Sequence, residues 1–119
     1  MPDERTEIAA AIRDLAEGAQ VVLTTGGTGV APRDVTPEAT ESVVDRFVPG
    51  IAEAIRADAI RRTPHGLLGR GVAGILGGTL VVNLPGSTGG CRDGFELIKP
   101  ALPHAVELIA GVPTKHEQT

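Results

Sequence analysis

Ile8, Ile12, Leu15 and Ala16 recur at helical spacing between Asp3 and Gly18. This is the apolar stripe of an amphipathic helix that a glycine stops. The next apolar positions are contiguous. Val21-Val22-Leu23 predicts a short strand covered on both faces, extended by Thr24 and Thr25 into a glycine-rich loop. Thr36-Pro37-Glu38 joins an N-cap residue, a proline at the first helical position and an acid near the positive dipole end. It predicts a helix that carries Val43, Val44 and Phe47 and stops near Pro49-Gly50. A second helix places Ile51, Ile55, Ala59 and Ile60 on one side, and Thr63-Pro64 repeats the start signal for a short helix through Leu68. Runs 72–76 and 79–84 are strand-like and flank Gly77-Gly78, a hairpin signal. Helices follow with Phe95, Leu97 and Ile98, then with Ala105, Leu108 and Ile109 before Gly111, and residues 112–119 read as a flexible polar tail.

Strands alternating with helices predict the α/β class: a three-layer α/β/α domain over residues 1–111 with a mostly parallel sheet. The 119 residues suffice for one modest core. With Phe47 and Phe95 the only aromatics, that core is built from Val, Leu, Ile and Ala. Eleven Lys and Arg against fifteen Asp and Glu give a net charge of −4, and no basic run exceeds Arg61-Arg62. A nucleic-acid surface, which must neutralise many phosphates, is therefore not expected. A small anion remains within reach, because backbone N–H groups bind phosphate without net positive charge. A single cysteine, Cys91, allows no internal disulfide, no apolar run approaches ~20 residues, and the charged first residues contain no secretory apolar segment. A soluble, cytoplasmic protein with no membrane partner is expected.

Ligands of open parallel sheets bind beyond the carboxyl ends of the strands. Two glycine-rich loops fall there: Thr24-Thr25-Gly26-Gly27-Thr28-Gly29 and Asn83-Leu84-Pro85-Gly86-Ser87. Glycines let N–H groups approach a phosphate closely, and Thr and Ser hydroxyls add donors. Either loop could equally be a tight turn between packed elements. Neither is a commoner nucleotide motif: no lysine precedes Lys99, and neither loop has the G-x-G-x-x-G spacing. Ser87 lies outside a G-x-S-x-G elbow, and His65, His104 and His116 have no metal-ligand spacing.

The block Thr24-Thr25-Gly26-Gly27-Thr28-Gly29, followed by Arg33-Asp34-Val35-Thr36-Pro37-Glu38-Ala39-Thr40, resembles the signature of the MogA/MoaB family of molybdopterin-binding domains. Asn83-Leu84-Pro85-Gly86-Ser87 is similar to the family's second motif and Pro2-Asp3-Glu4 to its third, so the resemblance spans residues 2–111. It implies transfer of AMP from ATP to the terminal phosphate of molybdopterin, with release of pyrophosphate and with Mg²⁺ as cofactor. Asp34 and Asp3 take the family's two functional aspartate positions and would place metal and phosphate. Gly26, Gly27, Thr28 and Gly29 would form the anion cradle, Thr36 and Glu38 its rim, and Pro85, Gly86 and Ser87 the ligand border. Asp34 could instead be a turn residue and Asp3 a helix cap, and Arg33 either a phosphate contact or an exposed ion-pair partner.

The resemblance also implies a homotrimer, a molybdate-inserting partner, and first strands that precede Met1. The trimer is expected on a second ground: the hairpin 72–84 is apolar on both faces, and cover for it, for Ile75-Leu76 and for Leu67-Leu68 is sought in another subunit, with the chain's own C-terminal helices as the alternative cover for the hairpin. Two alternatives stay open: a pterin-binding module or shortened paralogue without catalysis, and the related front domain of competence-damage-type proteins.

Overall fold

The structure is a computed structural model that describes residues 4–111; Asp3 and the expected tail at 112–119 lie outside the described residues. In chain order the elements are α1 (Glu4–Ala16), β1 (Val21–Thr25), α2 (Thr36–Glu41), β2 (Arg46–Phe47), α3 (Pro49–Arg62), a 3₁₀ turn (Pro64–Leu68), β3 (Ala73–Leu76), β4 (Thr79–Leu84), α4 (Thr88–Ile98), a second 3₁₀ turn (Lys99–Ala101) and α5 (Leu102–Ile109).

The sheet runs β1-β4-β3-β2. Strand β4 is its centre: all six residues are buried, and alternate side chains serve opposite faces. Val81 joins Val22, Ala9 and Ile12 of α1, Ala39 of α2 and Val43 in one core layer. Leu80, Val82 and Leu84 join Ile55 of α3 and Ile98 of α4 in the other, with Leu102, Ala105 and Ile109 packed on them. The three-layer α/β/α reading holds, but the sheet is mixed. β1 pairs β4 in parallel, whereas β3 pairs β4 and β2 pairs β3 antiparallel. The glycine turn accounts for this: Gly77, at φ 59°, closes too tight a hairpin for anything but an antiparallel return.

Three sequence expectations are corrected. The helix from Thr36 ends at Glu41 instead of carrying Phe47. Ser42 Oγ donates to Ala39 O at 2.6 Å and Thr40 Oγ1 to Thr36 O at 2.8 Å, bonds that favour ending a short helix. The chain then extends, Asp45 N–H bonds Ile75 O at 2.7 Å, and Phe47 pairs Gly74 in a fourth strand. Gly74 permits that approach, since a Cβ there would sit 2.8 Å from Arg46 O. Thr36 is also not the cap: Val35 takes that position, and no side-chain cap bond forms. Lastly, the hairpin is covered by the chain's own helices, because both core layers are completed by elements of this chain. Val72, Ile75 and Leu76 are half-buried, and only the turn glycines Gly77 and Gly78 are exposed. Among the described residues no helix is long and apolar enough to cross a membrane.

Candidate functional site

β1 and β4 end side by side, Thr25 opposite Leu84, so both glycine-rich loops leave the same edge of the sheet. Gly26 N–H donates to Leu84 O at 3.2 Å, which ties the first loop to the base of the second. Gly26 and Gly27 have φ of 87° and 71°, values that L side chains rarely adopt. The loops then touch backbone to backbone: a Cβ on Gly86 would stand 2.9 Å from Gly26 Cα. A Cβ on Gly27 would collide with Thr36 Oγ1, while Thr36 N–H donates to Gly27 O at 3.1 Å. Thr36 thus packs beneath the loop rather than capping a helix.

Between the loops, α3 and the first turn of α4 lies a cavity of about 460 Å³. Gly27, Thr28, Gly29, Asp34, Pro85, Gly86 and Ser87 all line it. Seven of the residues read as site residues from the sequence are therefore brought to one wall. Gly26 and Thr36 open instead onto a shallower pocket behind the loop, shared with Glu4 and Arg33. Glu38 lines neither pocket. Arg33 makes a 3.1 Å ion pair with Glu4 in which both side chains are well exposed, the surface role that was one of its two readings. Asp34 Oδ2 accepts from Ala31 N–H at 3.0 Å and leans over Gly29, where a Cβ would meet it at 2.8 Å. Among the described residues no group of three or more His, Cys, Asp or Glu could hold a metal ion.

The loop side of the cavity offers donors, while Ala52, Ile55, Ala59 and Leu68 add apolar surface. Among the described residues the N–H groups of Gly27, Thr28 and Gly29 have no hydrogen-bond acceptor. The start of α4 lines the same cavity; there Ser87 Oγ accepts from Gly90 N–H at 3.0 Å as the N-cap, and the Thr88 and Gly89 amides have no intrahelical acceptor. A loop of free amides opposite a helix N-terminus makes a site for an anion.

Several residues hold this site in ways the sequence did not signal. Asn83 is buried; its Nδ2 donates to Thr24 Oγ1 and Thr40 Oγ1, both at 2.9 Å, and its Oδ1 accepts from Val72 N–H at 3.0 Å. Arg56 donates to Gly69 O and Gly71 O along the cavity rim. Arg62 bonds Asp58 at 2.9 Å and Asp93 at 3.3 Å, linking α3 to α4 in the cavity wall. The Arg62 hydrogen bond holds the Asp58 carboxyl below the usual carboxylate range, and Asp58 raises Arg62 in return. The i, i+4 spacing of Asp58 and Arg62 was legible; the link to Asp93 was not. Arg70 reaches Glu38 at 2.6 Å, and its hydrogen bond lowers the Glu38 carboxyl pKa.

A family model described as the probable molybdopterin binding domain matches residues 1–104. The chain belongs to that family. Its structure is similar to that of the molybdopterin biosynthesis enzyme MoaB from Thermus thermophilus, with a TM-score of 0.84 and 52% identity over 96% of this chain and 73% of that one. In sequence it is 42% identical to molybdopterin adenylyltransferase of Helicobacter pylori, across 88% of this chain and 65% of that enzyme. It is 45% identical to the molybdenum cofactor synthesis protein cinnamon of Drosophila melanogaster, across 92% of this chain but 18% of that much longer protein. The chain thus spans about two thirds of the bacterial relative and a small part of the insect one.

Proposed function

We propose that this chain adenylylates molybdopterin: ATP donates AMP to the terminal phosphate of molybdopterin, giving adenylyl-molybdopterin and pyrophosphate. The observation that carries this reading is the row of three free amides, Gly27 to Gly29, beside the Asp34 carboxylate in a cavity of about 460 Å³. A cavity of that size accommodates a ligand of nucleotide or pterin dimensions. The name of the Helicobacter relative supports the choice of substrates.

Transfer between phosphates needs positioning and charge neutralisation more than a covalent nucleophile. The loop amides and the α4 N-terminus bind and orient phosphate oxygens, and Pro85, Gly86 and Ser87 border the ligand. Asp34 positions the reacting phosphate edge. Mg²⁺ takes one or two carboxylates plus substrate phosphates; Asp34 would hold it, with Asp3 as the second carboxylate, and the ion would neutralise phosphate charge. Assembly as a homotrimer and hand-over of the product to a molybdate-inserting partner complete the reading, in a cytoplasmic setting. Support for self-association comes from Leu67 and Leu68, 68% and 51% exposed on one turn.

The test is pyrophosphate release from ATP and Mg²⁺ with and without molybdopterin. Release that depends on molybdopterin is the expected result. Molybdopterin binding without release would leave a binding module, and light scattering that returned a monomer mass would remove the trimer.

A further inference from the structure

Arg70 stands between Gly69 and Gly71, both of which line the cavity, yet Arg70 itself does not. It works from behind. Its backbone N–H donates to Thr28 O at 2.8 Å and its Nε to Gly29 O at 2.7 Å. Nη2 donates to Asp34 O, and Nη1 to Glu38 Oε2 at 2.6 Å. One residue thereby grips the end of the glycine loop, the aspartate that follows it and the first turn of α2. Between these grips, residues 30–33 are held by a local turn, in which Asp34 N–H bonds Ala31 O at 2.9 Å and Ala31 N–H bonds Asp34 Oδ2 at 3.0 Å, and by the exposed Arg33–Glu4 pair.

We infer that Arg70 is a positioning residue, whose planar guanidinium fixes the Asp34 main chain relative to the loop amides and so aims the Asp34 carboxylate along the cavity wall. The inference rests on the adenylylation reading for its catalytic consequence. The ion pair with Glu38 is not the main element. Those side chains are 36% and 40% exposed, where charge attraction is screened and contributes little. The carbonyl oxygens of Gly29 and Asp34 need two donors in a fixed fork, which a lysine ammonium cannot reproduce.

Shape and charge separate in three full-chain variants: R70K, R70Q and E38Q. Amide hydrogen exchange at Ala31 and Asp34 is compared with exchange at Val81 and Val82 of β4. Arg70→Lys and Arg70→Gln should speed the loop amides by roughly tenfold or more and leave β4 unchanged, whereas Glu38→Gln stays within about twofold of wild type. Molybdopterin-dependent pyrophosphate release should fall about 100-fold in kcat for both Arg70 variants, with KM for ATP little changed, as misplacement by about 1 Å entails. Wild-type protection of the loop in Arg70→Lys would overturn the inference in favour of charge alone. Equal loss of protection in β4 would overturn it in favour of general stability. Absence of pyrophosphate release in the wild type would overturn the adenylylation reading, and the exchange data would still decide the role of Arg70.

Discussion

The two loops at the site are built on opposite plans. Apart from the Gly26–Leu84 bond and the Asn83 side chain, which tie its base to the first loop, the second is held locally: Ser87 caps α4 through Gly90 N–H, and Cys91 N–H bonds Ser87 O at 2.9 Å, all within one turn. The first is held from far away. Its anchors are Arg70, 41 positions beyond Gly29, and Asn83, 59 positions beyond Thr24. A loop fastened by its own helix forms with that helix. A loop fastened by remote side chains is ordered only once the whole sheet is in place, and this is the loop that presents Asp34.

The largest expected contrast is catalytic. Asp34→Asn keeps the shape and removes the charge, so turnover should fall by about 10²–10³ with thermal unfolding unchanged. Unaltered pyrophosphate release would assign Asp34 to the turn and make the two loops equivalent supports. Next in size is a backbone effect. Gly27→Ala forces a side chain onto a residue at φ 71° that already abuts Thr36 Oγ1, a cost of roughly 1–3 kcal/mol in chemical denaturation. Gly89→Ala, where a Cβ meets open space inside α4, should instead stabilise by about 0.5–1 kcal/mol. Equal losses at both positions would erase the distinction between a built cradle and a plain helix start.

Ser87→Ala should cost about 1 kcal/mol through the lost cap, and its effect on amide exchange should stay within the first turn of α4. Spread of that effect to Ala31 would show that the loops are not independently held. The smallest effect concerns Glu38. Its carboxyl pKa is lowered in the fold by the Arg70 hydrogen bond, so the unfolded chain binds the proton more readily. The stabilisation is therefore complete above the ordinary carboxylate range and is lost as the pH falls through it. Glu38→Gln should lose a few tenths of a kcal/mol at about pH 7 and progressively less as the pH falls below the ordinary carboxylate range, and added salt should shrink the difference. A gap that widened in acid would contradict the assigned sign.

What could be read from the sequence follows the same division. Thr63-Pro64 announced the short helix after α3, and Thr63 Oγ1 does accept from His65 N–H at 3.3 Å. The stripe of α1, the contiguous apolar run of β1 and the glycine hairpin were legible because each is a pattern within a few residues. The two motif blocks at 24–29 and 33–40 likewise singled out Gly27, Thr28, Gly29 and Asp34, which line one cavity. Strand β2 was not: its two residues gain strand form only by pairing with Gly74 and Ile75. Arg70 gave no sign of its role because its acceptors are mostly main-chain oxygens, those of Asp34 and Gly29 being 36 and 41 positions away. Carbonyl groups have no letter in the sequence.

The parallel ladder between β1 and β4 also imposes an order in time. During synthesis at about 5–20 residues per second, the 59 positions from Thr24 to Asn83 occupy about 3–12 s. A hairpin such as β3–β4 closes in about 1–10 μs once made. Throughout that interval the nascent chain carries the glycine cradle without the strand that orders it. The β3–β4 hairpin is therefore the template on which β1 docks, and capture of a ligand by the emerging polypeptide must await the ribosome's passage beyond Gly86.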